Sequence, residues 1–281
     1  MSPIHDQSYR RYEGKRQPLG RGWLVIATNG IRTMLARKVL LGLLVAGWLQ
    51  FVVRTVQIYT ATAYPTTAQF LGVTPKTFLD FIEWQFLAVF LMTVYVGSGL
   101  IANDRRANAL QIYLSKGIMR IEYIVGKLAV LTSFLFFVTL LPALLLLVVQ
   151  ASFAGNLDLI RSNPHLLPAI VLACVVRVLI AAGTMLALSS LSKSTRYVAI
   201  LFTGAIFFSE AMYGVLRVIT GSSAVAWVSF MGNLQVVTDA MFKVEPRYET
   251  PVLVSALILL GLAALSVSVL ERRVRGVEVV T

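Results

Sequence analysis

Apolar residues in this chain arrive in blocks rather than at the spacing of a half-buried helix or strand. Six blocks, at about 39–59, 84–103, 128–153, 167–191, 197–220 and 251–270, approach the roughly 20 residues that carry a helix across the hydrocarbon layer. The pattern predicts an all-α polytopic membrane protein with six transmembrane helices. The connector 192–196 is so short that the fourth and fifth spans form a tight hairpin. Composition agrees: 57% of the 281 residues are hydrophobic and only 14% charged, against about 25% charged in an ordinary soluble domain. A water-soluble enzyme is thereby set aside.

Charge adds an orientation. With the amino terminus inside, 18 of the 25 basic residues fall in the parts that would then be cytoplasmic, among them Arg32, Arg37, Lys38, Arg105, Arg106, Lys127, Lys193, Arg196, Arg272 and Arg273. Those parts then carry the whole net charge of +12. Lysine and arginine mark the cytoplasmic side of short loops, so both termini are expected inside, in a cell (inner, cytoplasmic) membrane. Residues 1–20 are polar and basic, without the apolar core of a cleavable signal peptide, and read as a cytoplasmic tail; 271–281 form a second one. The positive charge borders apolar helices and lacks interleaved base-stacking aromatics, so it fits topology and anionic membrane lipids rather than nucleic acid.

Residues 21–38 precede the first span and are half apolar. Leu24, Ala27, Ile31, Met34 and Leu35 share a helical face, and Arg21, Asn29, Thr33 and Arg37 fall elsewhere. An N-terminal interfacial elbow helix is expected, either a simple anchor or a link to a cytoplasmic partner. Between the second and third spans, Asp104 or Asn103 can cap a short helix that Gly117 ends. Ala107, Leu110 and Leu114 share its face, with Tyr113 beside them. Held between two spans, such a helix could rest on lipid headgroups or transmit a push from a bound protein.

The run from Gly97 to Asp104 and Arg105, followed by Leu110, Leu114-Ser115, Arg120, Tyr123 and Gly126-Lys127, resembles the permease subunit of ABC-2 type transporters. That family has an acidic residue after the second span, a Leu-Ser-x-Pro-x-x-Arg turn, and Gly-Lys before the third. This chain has Lys116-Gly117 followed by Ile118-Met119 where the family has its proline turn. The resemblance implies an ATP-driven exporter half that pairs with a second permease copy or homologue. It also implies a separate ABC ATPase subunit bound through a cytoplasmic coupling helix, here about 104–116. Asp104, Arg105, Arg106, Ala107, Leu110, Tyr113 and Leu114 are then the partner-ATPase interface. A phosphate-binding loop needs Gly-x-x-x-x-Gly-Lys-Ser/Thr; Gly14-Lys15 is followed by Arg16, and Gly126-Lys127 by Leu128. ATP and magnesium are therefore expected on the partner, with no cofactor in this chain.

Other readings stay open: an ion- or proton-coupled secondary transporter, or a non-transporting membrane assembly subunit. A membrane-embedded enzyme is disfavoured. His5 and His165 have no second ligand at metal spacing, and Asp80 with Glu83 read as solvated charges on an irregular outer loop, 61–83. The single cysteine, Cys174, lies inside an apolar block. No catalytic or metal residue is therefore expected. Residues 221–250 are too apolar for a solvated loop and too short for two more spans; they either dip into the outer leaflet or lie on it. Arg54 and Arg217 sit near span ends and can snorkel. Arg177 and Glu210 each lie about 15 Å from the outer end of their spans, by the rise of a helix. An Arg177–Glu210 ion pair across the hairpin is expected, as a staple or as part of a translocation path.

Overall fold

The computed structural model describes residues 21–64, 72–115 and 118–274. Residues 1–20, 65–71, 116–117 and 275–281, and with them both expected tails, lie outside the described residues. All described elements are helices. Six helical stretches are long and apolar enough to cross a membrane: Lys38–Ala63, Pro75–Arg106, Arg120–Ala154, Leu166–Leu191, Thr195–Thr220 and Val252–Arg273. The chain is a multi-pass helical membrane protein in this sense.

In chain order, α1 (Gly22–Leu35) leads into α2 (Lys38–Ala63). The second span is broken: α3 (Pro75–Trp84), α4 (Phe86–Met92), a π-helical turn at Thr93–Gly97 and α5 (Ala102–Arg106). After α6 (Ala109–Ser115) the third span is α7 (Arg120–Val138) and α8 (Leu140–Ala154). A short α9 (Asp158–Ser162) precedes α10 (Leu166–Leu191) and α11 (Thr195–Thr220), the expected hairpin. A 3-10 turn at Ser223–Val228, α12 (Phe230–Phe242) and α13 (Val252–Arg273) complete the chain.

Each interruption has a local cause. Residues 75–84 are helix rather than irregular loop, because Pro75 sits at the first helical position and Thr77 Oγ1 accepts from the Thr74 amide at 3.1 Å. The break at Thr139 follows from Pro142, which has no N–H and crowds the carbonyl four residues back. Thr139 Oγ1 also donates to the Leu135 carbonyl at 2.8 Å. Gly155 and Gly221, at φ +65 and +66, end α8 and α11 in the left-handed conformation that glycine adopts without strain.

Burial divides the spans into two sets. The second, third and fourth are 56%, 50% and 56% buried, and the first, fifth and sixth only 11%, 17% and 17%. The former make the core, around α10. The latter keep apolar side chains such as Val45, Val218 and Leu253 outward, which suits lipid and not water.

Helix α1 packs along α7 in register, every fourth residue meeting its counterpart: Gly22 at Glu122, Ile26 at Gly126, Gly30 at Val130. The Gly22 amide donates to Glu122 Oε1 at 3.3 Å. Of the expected apolar stripe, Ala27 is buried and Ile31 and Met34 touch the core, while Leu24 and Leu35 remain exposed. A Cβ on Gly126 would lie 2.9 Å from the Trp23 carbonyl oxygen and from Ile26 Cβ. Gly126→Ala is therefore expected to force α1 off α7 at a cost of about 1–3 kcal/mol, measured as a lowered thermal unfolding midpoint.

Candidate functional site

Two clusters of polar residues interrupt the apolar body, one at each end. The basic end carries α5, α6, the start of α7 and the α10–α11 turn. Asp104 pairs with Lys127 Nζ at 2.7 Å and accepts from the Tyr123 hydroxyl at 2.8 Å. The Lys127 ammonium also stands 5.5 Å over the Tyr123 ring, and Tyr113 packs against the same ring at 5.7 Å. Burial, with Asp104 second, pushes the Tyr113 phenol above its ordinary pKa. Thr195 Oγ1 donates to Asn103 Oδ1 at 3.0 Å, and the Arg105 guanidinium donates to the Ser190 carbonyl. Ser189, fully buried, accepts from the amides of Ile101 and Ala102 at 3.1 and 3.0 Å and donates to the Ser98 carbonyl at 2.9 Å. The junction of the second span with α5 is thus bolted to the end of α10.

The helix expected over 104–116 is two helices, α5 and α6, because a turn at Ala107–Asn108 separates them. Asn108 has φ 54 there, a conformation asparagine tolerates better than most residues. The break divides the expected docking face. Leu110 is 7% exposed and belongs to the core, Asp104 and Arg105 are tied inward, and Tyr113 is half-buried. Arg106, Ala107 and Asn108 are exposed at the tip. The Leu114 side chain lies outside the described residues.

At the opposite end, Glu83 on α3 sits between two arginines. Arg177 Nη2 lies 3.5 Å from Glu83 Oε1 and donates to Thr238 Oγ1 at 3.2 Å. Arg247, on the stretch after α12, makes two hydrogen bonds to Glu83, one at 2.6 Å, and grips Asp239 through Nε at 3.0 Å and again through Nη2. The Glu83 hydrogen bond, ahead of that from Asp239, holds the Arg247 guanidinium above its ordinary pKa. Four elements are drawn together: α3, α10, α12 and the 243–251 stretch.

The Arg177–Glu210 pair is not formed. Equal depth does not fix the direction in which a side chain leaves its helix, and Glu210 has other partners. It accepts from Ser229 Oγ at 2.7 and 2.8 Å and from the Met231 amide at 2.9 Å, so it caps the start of α12. Carboxylates are favoured at helix N-termini by the free amides and the dipole. Ser209 Oγ accepts from the Phe230 amide at 3.2 Å. The chain leaving α11 at Gly221 therefore turns back along that helix for about ten residues' length. It then climbs as α12 to bring the Phe242 carbonyl within 3.3 Å of His165 Nε2, at the start of α10. The two ends of the excursion meet: Ser222 Oγ donates to Glu249 Oε2 at 2.6 Å, and Thr250 Oγ1 to the Ala224 carbonyl at 2.8 Å.

Arg54 donates to Gln57 Oε1 at 2.6 Å within its own helix, and Arg217 stays on the exposed side of α11. Among the described residues no group of three or more His, Cys, Asp or Glu stands close enough to hold a metal ion. Glu83, Thr238, Asp239 and Arg247 are the functional candidates that sequence reading misses. The available signal was the Thr74-Pro75 helix start, which places Glu83 on a helix, and Asp239 inside an apolar stretch. No protein-family model and no curated protein sequence matches this chain.

Proposed function

We propose that the chain is the membrane-spanning permease subunit of an ATP-driven, ABC-2-like exporter. A separate ATPase subunit would dock at the basic end, and a second permease copy or homologue would complete the transporter. The observation that carries this reading is the α5–α6 bend. Its tip exposes Arg106, Ala107 and Asn108, while its base is fixed to three spans through Asp104–Lys127, Asn103–Thr195 and Arg105–Ser190. A projection held that firmly moves its spans when it is pushed. The positive charge at the same end supports a cytoplasmic placement, and α1 on α7 supplies the elbow. The stretch 221–250 fits a re-entrant excursion from the outer side, since it turns back to the depth of Glu210 and returns beside its start.

An ion-coupled secondary transporter is the second reading, favoured by the half-length helix α12, since such proteins build their sites at discontinuous helices. Co-expression with a candidate ABC ATPase subunit separates the two. The exporter reading expects a stable complex and loss of at least ~90% of it on combining Arg106→Glu with Ala107→Asp, a tenfold change being about 1.4 kcal/mol. Ion-driven flux without any nucleotide would favour the second reading.

A further inference from the structure

Three irregularities of the backbone converge on one place. The π-helical turn at Thr93, the break at Thr139 and the start of α12 at Phe230 all border a single cavity of about 40 Å³ beneath Arg177. Irregular backbone inside a membrane persists where it lines a cavity, and π-bulges are frequent at functional sites. Arg177 is 8% exposed, and its Nε has no hydrogen-bond partner among the described residues. The same holds for the buried Thr93 Oγ1. Both residues line the cavity. Arg177 is also weakly neutralised, because Glu83, at 3.5 Å, is the carboxylate that Arg247 grips twice.

The remaining wall is apolar and aromatic, and it points outward. Phe90 stacks on Phe202 at 6.1 Å and meets Phe207 edge-on at 6.1 Å. Phe207 is 60% exposed on the lipid side of α11. A path of rings thus runs from the cavity to the apolar surface between α4 and α11.

We propose that this cavity receives the head of an amphipathic carboxylate, with its apolar body lying along the ring path between α4 and α11. The volume leaves room for a few water-sized occupants, which admits a small polar head. A planar two-oxygen head matches the donor geometry of a guanidinium. A cation is repelled by Arg177, and a neutral alcohol leaves its charge uncompensated. The inference deepens the exporter reading by naming a cargo class, and as a statement about cargo it rests on that reading.

The test is equilibrium binding of radiolabelled dodecanoate to the full chain in phosphatidylcholine nanodiscs without any ATPase. Acetate serves as the head alone and dodecanol as the tail alone. Dodecanoate is expected to bind at least tenfold more tightly than either. Ala181→Leu fills the cavity while leaving every polar group in place, and Thr93→Val removes one hydroxyl; each is expected to weaken binding at least tenfold. Arg177→Gln is expected to abolish it. Dodecanol binding as tightly as dodecanoate, or unchanged binding in Ala181→Leu, overturns the proposal. Acetate binding equally well assigns the site to small free anions and overturns the amphipathic part. Because no partner is present, dodecanoate binding in a chain that recruits no ATPase defeats only the exporter reading. Failed binding in a chain that does recruit one defeats only this proposal.

Discussion

Arg247→Met is expected to destabilise the protein by about 2–4 kcal/mol. Removing one partner of a buried ion pair costs roughly 3–5 kcal/mol, because the charge left behind is uncompensated. Asp239 is almost fully buried and depends on this guanidinium, while Glu83, 14% exposed, would keep only the longer contact with Arg177. The lower figure allows for Arg247 itself, whose side chain is 36% exposed and partly screened. The loss would appear as a lower thermal unfolding midpoint in detergent. Combining Arg247→Met with Asp239→Asn removes the stranded charge as well, so the double variant should cost clearly less than the sum of the singles. An unchanged midpoint for Arg247→Met would show that the cluster contributes nothing to holding α3, α10 and α12 together.

At the other end, Asp104→Asn should loosen the α5–α6 bend without unfolding the bundle. The amide can still accept from Tyr123, but Lys127, with a side chain 12% exposed, loses its counter-charge. A penalty of about 2–3 kcal/mol on local closure is expected, below the roughly 3–5 kcal/mol for stranding a fully buried charge, because Lys127 keeps some exposure and the Tyr123 ring. That corresponds to roughly 30- to 150-fold faster amide exchange across 102–115. Exchange in α10, fixed separately by its packing, should stay within a few-fold of the parent. Under the proposed function, the same variant in a reconstituted transporter should still bind the ATPase, since the exposed tip is untouched, yet couple hydrolysis to transport poorly.

Much of the fold was legible because membrane spans are written as long apolar blocks. The six spans and the tight α10–α11 turn need only length and hydropathy. What the sequence concealed was direction and interruption. Depth along α10 and α11 was readable from residue counts, but not the rotation that turns Arg177 towards Glu83 and Glu210 towards Ser229 and Met231. A proline in a long apolar run, as at Pro142, says that a helix is disturbed but not that the disturbance will border a cavity. The family resemblance made Leu110 a docking residue, on a presumed single helix. The positive φ at Asn108 re-aims α6 and sends Leu110 into the core. Arg247 and Glu83 are 164 residues apart, and only the climb of α12 towards the start of α10 brings them into contact.

The proposed function requires the α5–α6 tip to face the cytoplasm, within reach of an ATP-hydrolysing partner. The direct test introduces a thiol by Ala107→Cys at the exposed tip, the native Cys174 being buried, and treats intact cells with a membrane-impermeant maleimide. The predicted result is no labelling until the membrane is permeabilised, and then protection when the ATPase subunit is bound. Labelling of intact cells from outside, or full labelling in the presence of the bound ATPase, would contradict it.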